Sequence, residues 1–496
     1  MTVLLLFSVL LSAQDVLKQS IYIDIPESKR IRFLDSIRSV TGFELLYSSA
    51  INPEKKVVVP VGEYTINSLL DSVFNDQELN YIVKDGLIIL SPLVKQSVEN
   101  KNVIVEGKVY GKREKAIPFA TIYFERLSRG TIANSDGEFR FIVPERNLND
   151  TITITCMGYN QVKVPPHIYL TQRLDIELSP ISIPIKSIII RPTNPNEIIR
   201  KSVEAIGKNY LSEPVLLTAF FRETSKQNED YISLTEALIE INKSSYLSSA
   251  EDLIRLIKGR NGTNIKKSEL VNLTVEGGLY NGLRLDIAKY NSNFYSSNSR
   301  EFTDYRYVKS MHYKGREVYI IDFVMRENTQ FQEYKGTLYI DAESLALVRA
   351  EFEITSEGLE FAKDILVKKT PRGFNARPLF ARYEVEYRFY NDVWNLYYAH
   401  SEIGIKVRKR HGKENKGYSC DFISTSDFVI TGIITEPNYK IRYKEAVKPG
   451  DVLVDQVRNT SETFWIEDNI ILPEEPLQKT ITRLQEEGVI NTDENQ

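Results

Sequence analysis

Residues 314–354 read KGREVYIIDFVMRENTQFQEYKGTLYIDAESLALVRAEFEI, and the class of the largest part of the chain follows from this stretch. In its last segment Ala346, Val348, Ala350, Phe352 and Ile354 alternate with Arg349, Glu351 and Glu353. A period of two puts the apolar set on one face of a half-buried antiparallel strand. Lys335-Gly336 opens the middle strand, and Asp341-Ala342-Glu343-Ser344 turns it into the next. Downstream, Tyr383, Val385, Tyr387 and Phe389 alternate with Arg382, Glu384, Glu386 and Arg388. The mixed charges of that second set suit a solvated sheet surface.

Working outward, the pattern from Val215 to about Tyr443 is a long antiparallel meander. Strands are expected at 216–223, 231–241 and 304–309, and a hairpin at 394–408 and 418–430 around 409–416. One helical stretch, 250–258, interrupts the meander. Residues 277–280 read as a connection and 283–287 as a strand. Asn196 starts a helix with Ile199, Val203, Ile206 and Tyr210 on one stripe, and Pro473-Glu474-Glu475-Pro476 opens a last one with Leu477, Ile481 and Leu484. The order Tyr313-Lys314-Gly315-Arg316, strand, Tyr339-Ile340-Asp341, strand to Arg349 is similar to the periplasmic lipoprotein carriers. That resemblance covers about a fifth of the domain and implies a curled, half-open sheet holding an apolar ligand such as an acyl chain. The residues expected to line the hollow are Val348, Ala350, Phe352, Tyr383, Val385, Tyr387 and Phe389, closed from inside by Ile199, Val203 and Ile206.

Upstream lie two smaller patterns. Ile21, Ile23 and Ile25 alternate as a strand, Ser28 is placed to cap a helix carrying Phe33, Leu34, Ile37 and Val40, and Gly42 stops it. Strands follow at 43–47 and 56–61. Thr65 caps a second helix with Ile66, Leu69, Leu70, Val73 and Phe74, and a hairpin around Lys84-Asp85-Gly86 closes the unit. Thr41-Gly42-Phe43, Val57-Val58-Val59, the Ile66 to Phe74 helix and the hairpin, in that order, resemble the STN domain of secretins and TonB-dependent transducers. The resemblance implies docking of an envelope partner protein. From Val103 to about Leu178 short strands and turns suggest a β-sandwich. Gly107, Pro118-x-Ala120, Asn134-x-Asp136-Gly137-x-Phe139 and Gly158-Tyr159 resemble the carboxypeptidase regulatory-like domain, which implies a prealbumin-type sandwich. Asn134, Asp136 and Glu138 are read as a hairpin turn, because a calcium loop needs six to eight oxygens.

The expected fold is therefore multidomain α+β and mostly β. Its parts are a leader at 1–13, an STN-like α/β unit at 14–92, a linker at 93–102 and a sandwich at 103–179. A second linker at 180–195, a β-rich half-barrel-like domain at 196–490 and a polar tail at 491–496 complete it. The apolar run 3–11 followed by Ser12-Ala13-Gln14 suits export to the periplasm or outer membrane of a Gram-negative-type envelope, although no Lys or Arg precedes Lys18. The alternative is a first buried strand of a cytosolic protein. No run reaches the ~20 apolar residues of a spanning helix. The 496 residues carry a net charge of -4, which gives no electrostatic case for nucleic acid.

Catalytic signatures are sparse. His411-Gly412-Lys413-Glu414 has the spacing of a zinc pair but no histidine follows to complete it. Cys420 with His400 is a conceivable nucleophilic pair, although core positions explain both. Cys156 and Cys420 read as buried thiols, with a bridge between them the other possibility. The sequence thus points to no catalytic residue, metal or cofactor. It points to an envelope protein that docks a partner and binds an apolar ligand or protein on its last sheet. A small outer-membrane β-barrel is the alternative, since alternation alone does not separate the two, and a hydrolase is third.

Overall fold

The computed structural model describes residues 16–47, 51–75, 79–84, 87–92, 102–124, 129–166, 173–181, 194–263, 270, 273–290, 292–326, 333–409, 419–434, 439–449, 453, 457 and 468–486. The leader, most of both linkers, the tail, His167 and the His411 hairpin tip lie outside them. The chain divides into two compact units, Met1–Lys101 and Asn102–Gln496.

The first unit is built on two helices, Arg30–Thr41 and Ile66–Val73, which bury Phe33, Leu34, Ile37, Ile66, Leu69, Leu70 and Val73 in one core. Thr65 caps the second, its hydroxyl accepting from the Ser68 amide at 3.1 Å. Ser28 does not cap the first. It lies in a strand, Glu27–Lys29, paired with Lys56–Val58, because the chain stays extended until Arg30. The Arg30 guanidinium is buried over the Phe74 ring and bonds the Val73 carbonyl. Val40 is solvent-facing, so the apolar stripe ends at Ile37.

In the second unit, a four-stranded and a three-stranded sheet enclose the sandwich core of Val105, Ile122, Phe139, Phe141 and Ile154. The Asn134 side chain accepts from the Asp136 and Glu138 amides, and Gly137 takes φ 77°, so this segment is a turn. The large sheet has ten strands: β1 (Val215–Gln227), β2 (Asp230–Lys243), β3 (Leu253–Thr263), β4 (Thr303–Tyr313), β5 (Arg316–Met325), β6 (Tyr334–Asp341), β7 (Leu347–Ile354), β8 (Phe374–Tyr390), β9 (Val393–Lys409) and β10 (Ser419–Ile434). Their order is β3-β2-β1-β10-β9-β8-β7-β6-β5-β4, antiparallel throughout. Laid flat, ten strands would span roughly 43 Å at the usual spacing. A single apolar cluster nevertheless contains residues of all ten, so the sheet curls. Helices α1 (Pro195–Glu204), α2 (Ile206–Asn209), α3 (Leu279–Arg284) and α4 (Ile287–Tyr290) fill the concave side.

One helix assignment and one strand assignment from sequence are corrected. Residues 250–258 are not helical; β3 runs through them, and a bulge sets Leu238 opposite Lys258 but Ile239 opposite Leu256. Ile257 is thrown out to solvent by that bulge, which breaks the alternation and imitates a helical spacing. Conversely, 283–287 is not a strand. Leu279, Leu283 and Ile287 recur every fourth residue and are buried from α3 and α4. Among the described residues β3 and β4 each pair on one side only and helices pack the apolar face, so the strands described form an open sheet and not the closed barrel of the alternative reading. No helix of the described residues is long and apolar enough to cross a membrane.

The sandwich is seated on the convex face of the large sheet. Tyr397 donates to the Thr131 carbonyl at 2.7 Å, the Arg388 guanidinium lies 4.6 Å above the Tyr123 ring, and Phe119, at φ 57°, packs on Tyr398 and His400. Glu386 and Arg388 are consequently buried, not solvated. A Cβ at Gly130 would stand 2.9 Å from the Tyr397 hydroxyl and 3.1 Å from an Arg388 nitrogen. Gly130→Val is expected to destabilise the second unit by about 1–3 kcal/mol through overpacking of this seam, read as a lowered midpoint in urea. An unchanged midpoint would mean that the seam is loose.

Candidate functional site

The register places one unbroken row of polar residues across the convex face. Opposite one another on successive strands stand Arg306, Asp322, Thr337, Glu351, Glu384, His400, Asp427, Arg222, Glu236 and Arg260. Directly opposed side chains on one face are the units of sheet pairing, and several of the opposed pairs here bond directly. Arg306 meets Asp322 at 2.6 Å, and Thr337 donates to Asp322 at 2.9 Å. Arg349, from the next row, bridges Glu351 and Glu384 at 2.7 and 2.8 Å. His400 Nδ1 and the Tyr398 hydroxyl both lie 2.8 Å from Asp427 Oδ1, and Arg222 and Arg260 clasp Glu236.

The two halves of the row differ in cover. From Asp427 to Arg260 it is buried, because the segment Asp468–Glu474 lies over it. Arg222 donates to the carbonyls of Ile471 and Leu472, Lys258 pairs with Asp468, and Tyr231 donates to Glu474. The helix Glu475–Glu486 then packs Leu477 and Ile481 on Tyr231 and Leu234. From His400 to Arg306 the row instead floors a groove of about 870 Å³ that crosses the six strands β4 to β9. A second row, Asp304, Val324, Lys335, Glu353, Arg382 and Glu402, charged except for Val324, runs beside it. Burial, and the nearby Glu386 and Glu351, push the Glu384 carboxyl above the usual range against the pull of Arg349 and His400. Glu351, Glu384 and Glu386 thus share the one guanidinium of Arg349 at the centre of the groove.

The seven residues expected to line an apolar hollow are placed differently. Val348, Ala350, Phe352, Tyr383, Val385 and Tyr387 all face the concave side and share one cluster with Ile199 and Ile206, with Val203 packed against it. Phe389 does not; it is exposed at the end of β8, with its ring tilted against Trp394 and under the Arg316 guanidinium. The cleft opening between Phe352, Tyr383, Tyr334 and Ile403 holds about 190 Å³. Tyr387 is tied by its hydroxyl to Asp286 at 2.9 Å, within a buried network that periodicity does not reveal. Lys243 pairs there with Asp252 and Asp286 at 2.8 and 2.7 Å, Lys289 with Asp252 at 2.6 Å, and Tyr246 and Tyr290 donate to the same carboxylates. Burial opposes charge on Lys243, but its two carboxylates outweigh it and raise its pKa. This network fastens α3 and α4 to the end of the sheet.

Cys420 faces the core and His400 the convex side, so the two do not form a pair. Cys156 and Cys420 are thiols, not a disulfide. Burial and the Glu386 charge push the Cys156 thiol up to about 11, which keeps it protonated and unreactive. Among the described residues no group of His, Cys, Asp and Glu is placed to hold a metal ion.

Residues 105–190 match the CarboxypepD_reg-like domain family, in agreement with the four motif elements of the sandwich. The search of curated proteins returned no match. Among solved structures, MucB in complex with MucA(peri) is 12% identical, overlapping 49% of this chain and 100% of that one, with a TM-score of 0.15. A DUF1329 family protein from Desulfovibrio piger is 10% identical over 50% and 96% of the two chains, with a TM-score of 0.22. A LolA superfamily protein from Nitrosomonas europaea is 10% identical over 52% and 98%, with a TM-score of 0.19. Overlaps this loose carry no function across.

The His400–Asp427 pair makes stability depend on pH. Burial pulls the His400 pKa down, but Asp427, Glu384 and Glu402 win and hold it above the ordinary 6.5. A raised folded pKa contributes stability in full below about 6.5 and loses it as pH climbs through the folded value. Asp427 is held low by His400 and Tyr398 despite its burial, so its share fails only in acid, below the ordinary carboxylate range. The stability gap between wild type and His400→Gln should be about 1 kcal/mol near pH 6 and shrink toward pH 9 in urea titrations. A gap independent of pH would show that the imidazole is neutral.

Proposed function

We propose that this is a non-catalytic envelope protein that binds a polypeptide partner in the convex groove of its large sheet. The observation that carries the reading is where the space lies. Small-molecule sites are typically apolar hollows of about 300–1,000 Å³. Here the cleft on the concave side offers about 190 Å³ and the outer face about 870 Å³. A wide, open trough in which the aliphatic stems of charged side chains leave apolar surface among the charges suits a polypeptide, with amides, apolar side chains and charges of its own, better than an acyl tail. Placement in the envelope is supported by the apolar run at 3–11 and by the STN-like pattern of the first unit, which would serve as a second docking module.

Three measurements test the reading. A photo-crosslinking residue introduced at Val324, which opens onto the groove, should trap a discrete polypeptide in cells, whereas one at the exposed Leu247 should not. Equal labelling at both sites would refute a groove-specific partner. Ala350 is fully buried in the concave core. Ala350→Leu should therefore cost about 1–3 kcal/mol, and wild type should take up no fluorescent fatty acid. Uptake by wild type, reduced in a still-stable mutant, would restore the carrier alternative. Deleting residues 14–92 should leave the unfolding of the second unit unchanged, because the first has its own core. Loss of cooperative unfolding in the remainder would contradict that independence.

A further inference from the structure

We infer that the groove takes an irregular or extended polypeptide segment rich in Lys and Arg, an inference that rests on the groove reading above. The argument starts from the other half of the same row, where the chain shows how this face holds a polypeptide. The segment Asp468–Glu474 has no regular structure, and the sheet grips it in two ways. Its main-chain carbonyls accept from side chains of the second unit: Ile470 from Thr131 at 3.2 Å, and Ile471 and Leu472 from Arg222 at 2.5 and 3.4 Å. Its acidic side chains meet the cation and hydroxyl that this half offers, Asp468 on Lys258 and Glu474 on Tyr231. The covered half is rich in cations (Arg222, Lys258 and Arg260), and the segment lying on it is acidic.

The open half continues the row with the opposite balance. Six carboxylates line it, Asp304, Asp322, Glu351, Glu353, Glu384 and Glu402, together with Arg306, Lys335, Arg382 and, at one end, His400; Arg349 bridges Glu351 and Glu384 and Arg326 pairs with Asp304, so the excess of carboxylates is small. Arg306 and Arg382 are exposed, with 78% and 57% of their side chains open to solvent, so they remain placed to donate to main-chain carbonyls as Arg222 does. Val324 supplies an apolar contact beside them. Charge complementarity of this kind selects the partner and speeds its arrival more than it adds affinity. It is weakened by salt where the pairs stay near the surface.

The test uses the full chain and two fluorescein-labelled decapeptides, alternating Lys-Val and alternating Glu-Val, followed by fluorescence anisotropy. The Lys-Val probe should bind at least tenfold more tightly than the Glu-Val probe, and the difference should narrow as salt is raised. Glu353→Lys and Glu402→Lys, at partly exposed positions, should each weaken the Lys-Val probe about tenfold, and Val324→Trp should block both probes. Melting curves verify that the variants fold, and Lys335→Glu, expected to strengthen Lys-Val binding, gives a gain that misfolding does not imitate. Equal affinity for the two probes, or indifference to Glu353→Lys and Glu402→Lys, overturns the basic-segment inference. If Val324→Trp still blocks binding in that case, the groove itself stands and only its charge preference falls. If neither probe binds and Val324 traps no polypeptide in cells, both readings fall together.

Discussion

Ten strands with one apolar and one ionic face impose a constraint on everything packed around them, since the two faces need different covers. The concave side is closed by helices whose Leu279, Leu283 and Ile287 sit at helical spacing. The convex side carries a continuous ionic row, and covering charges costs several kcal/mol per ion unless each finds a partner. The row meets that condition internally: Glu236 lies between Arg222 and Arg260, Asp427 between His400 and Tyr398, and Glu384 against Arg349. Only with its charges matched in this way can part of the row be taken out of water.

The sandwich and the segment Asp468–Glu474 use that permission on one side of the sheet. The sandwich brings Tyr123, Thr131 and the strained Phe119 onto Arg388, Tyr397 and His400. These pairs are weak evidence for net stability, because desolvation offsets their attraction, but they dictate one register of docking. Where the cover stops, at His400, the groove begins. Its position is therefore a consequence of how much of the face the chain can cover with its own residues.

Much of this was legible from periodicity. Alternation in 346–354 and 383–389 identified the concave residues, and only Phe389 escaped, because a strand end has no neighbours to enclose it. The motif elements of the sandwich were readable because turns demand particular residues, as Gly137 and Asn134 illustrate. The failures have physical causes too. The bulge at Ile257 broke the period of two in β3, and the short helices α3 and α4 span too few turns to display a stripe. The first helix lost its expected cap because strand pairing held Ser28 extended.

The sequence by itself determined which face of each strand is apolar, since a side chain's direction in an extended chain depends only on parity. It also determined that charges would alternate with those apolar residues. Only the tertiary structure decided which of those charges meet water. Glu386 and Glu402 stand on strands of the same alternation, yet the sandwich buries the first and leaves the second on the groove. The row itself belongs to no stretch of sequence, because it is assembled from one residue of each strand by hydrogen-bond register. Register is a long-range property: Arg306 and Arg260, only forty-six positions apart along the chain, stand on the two opposite edges of the sheet.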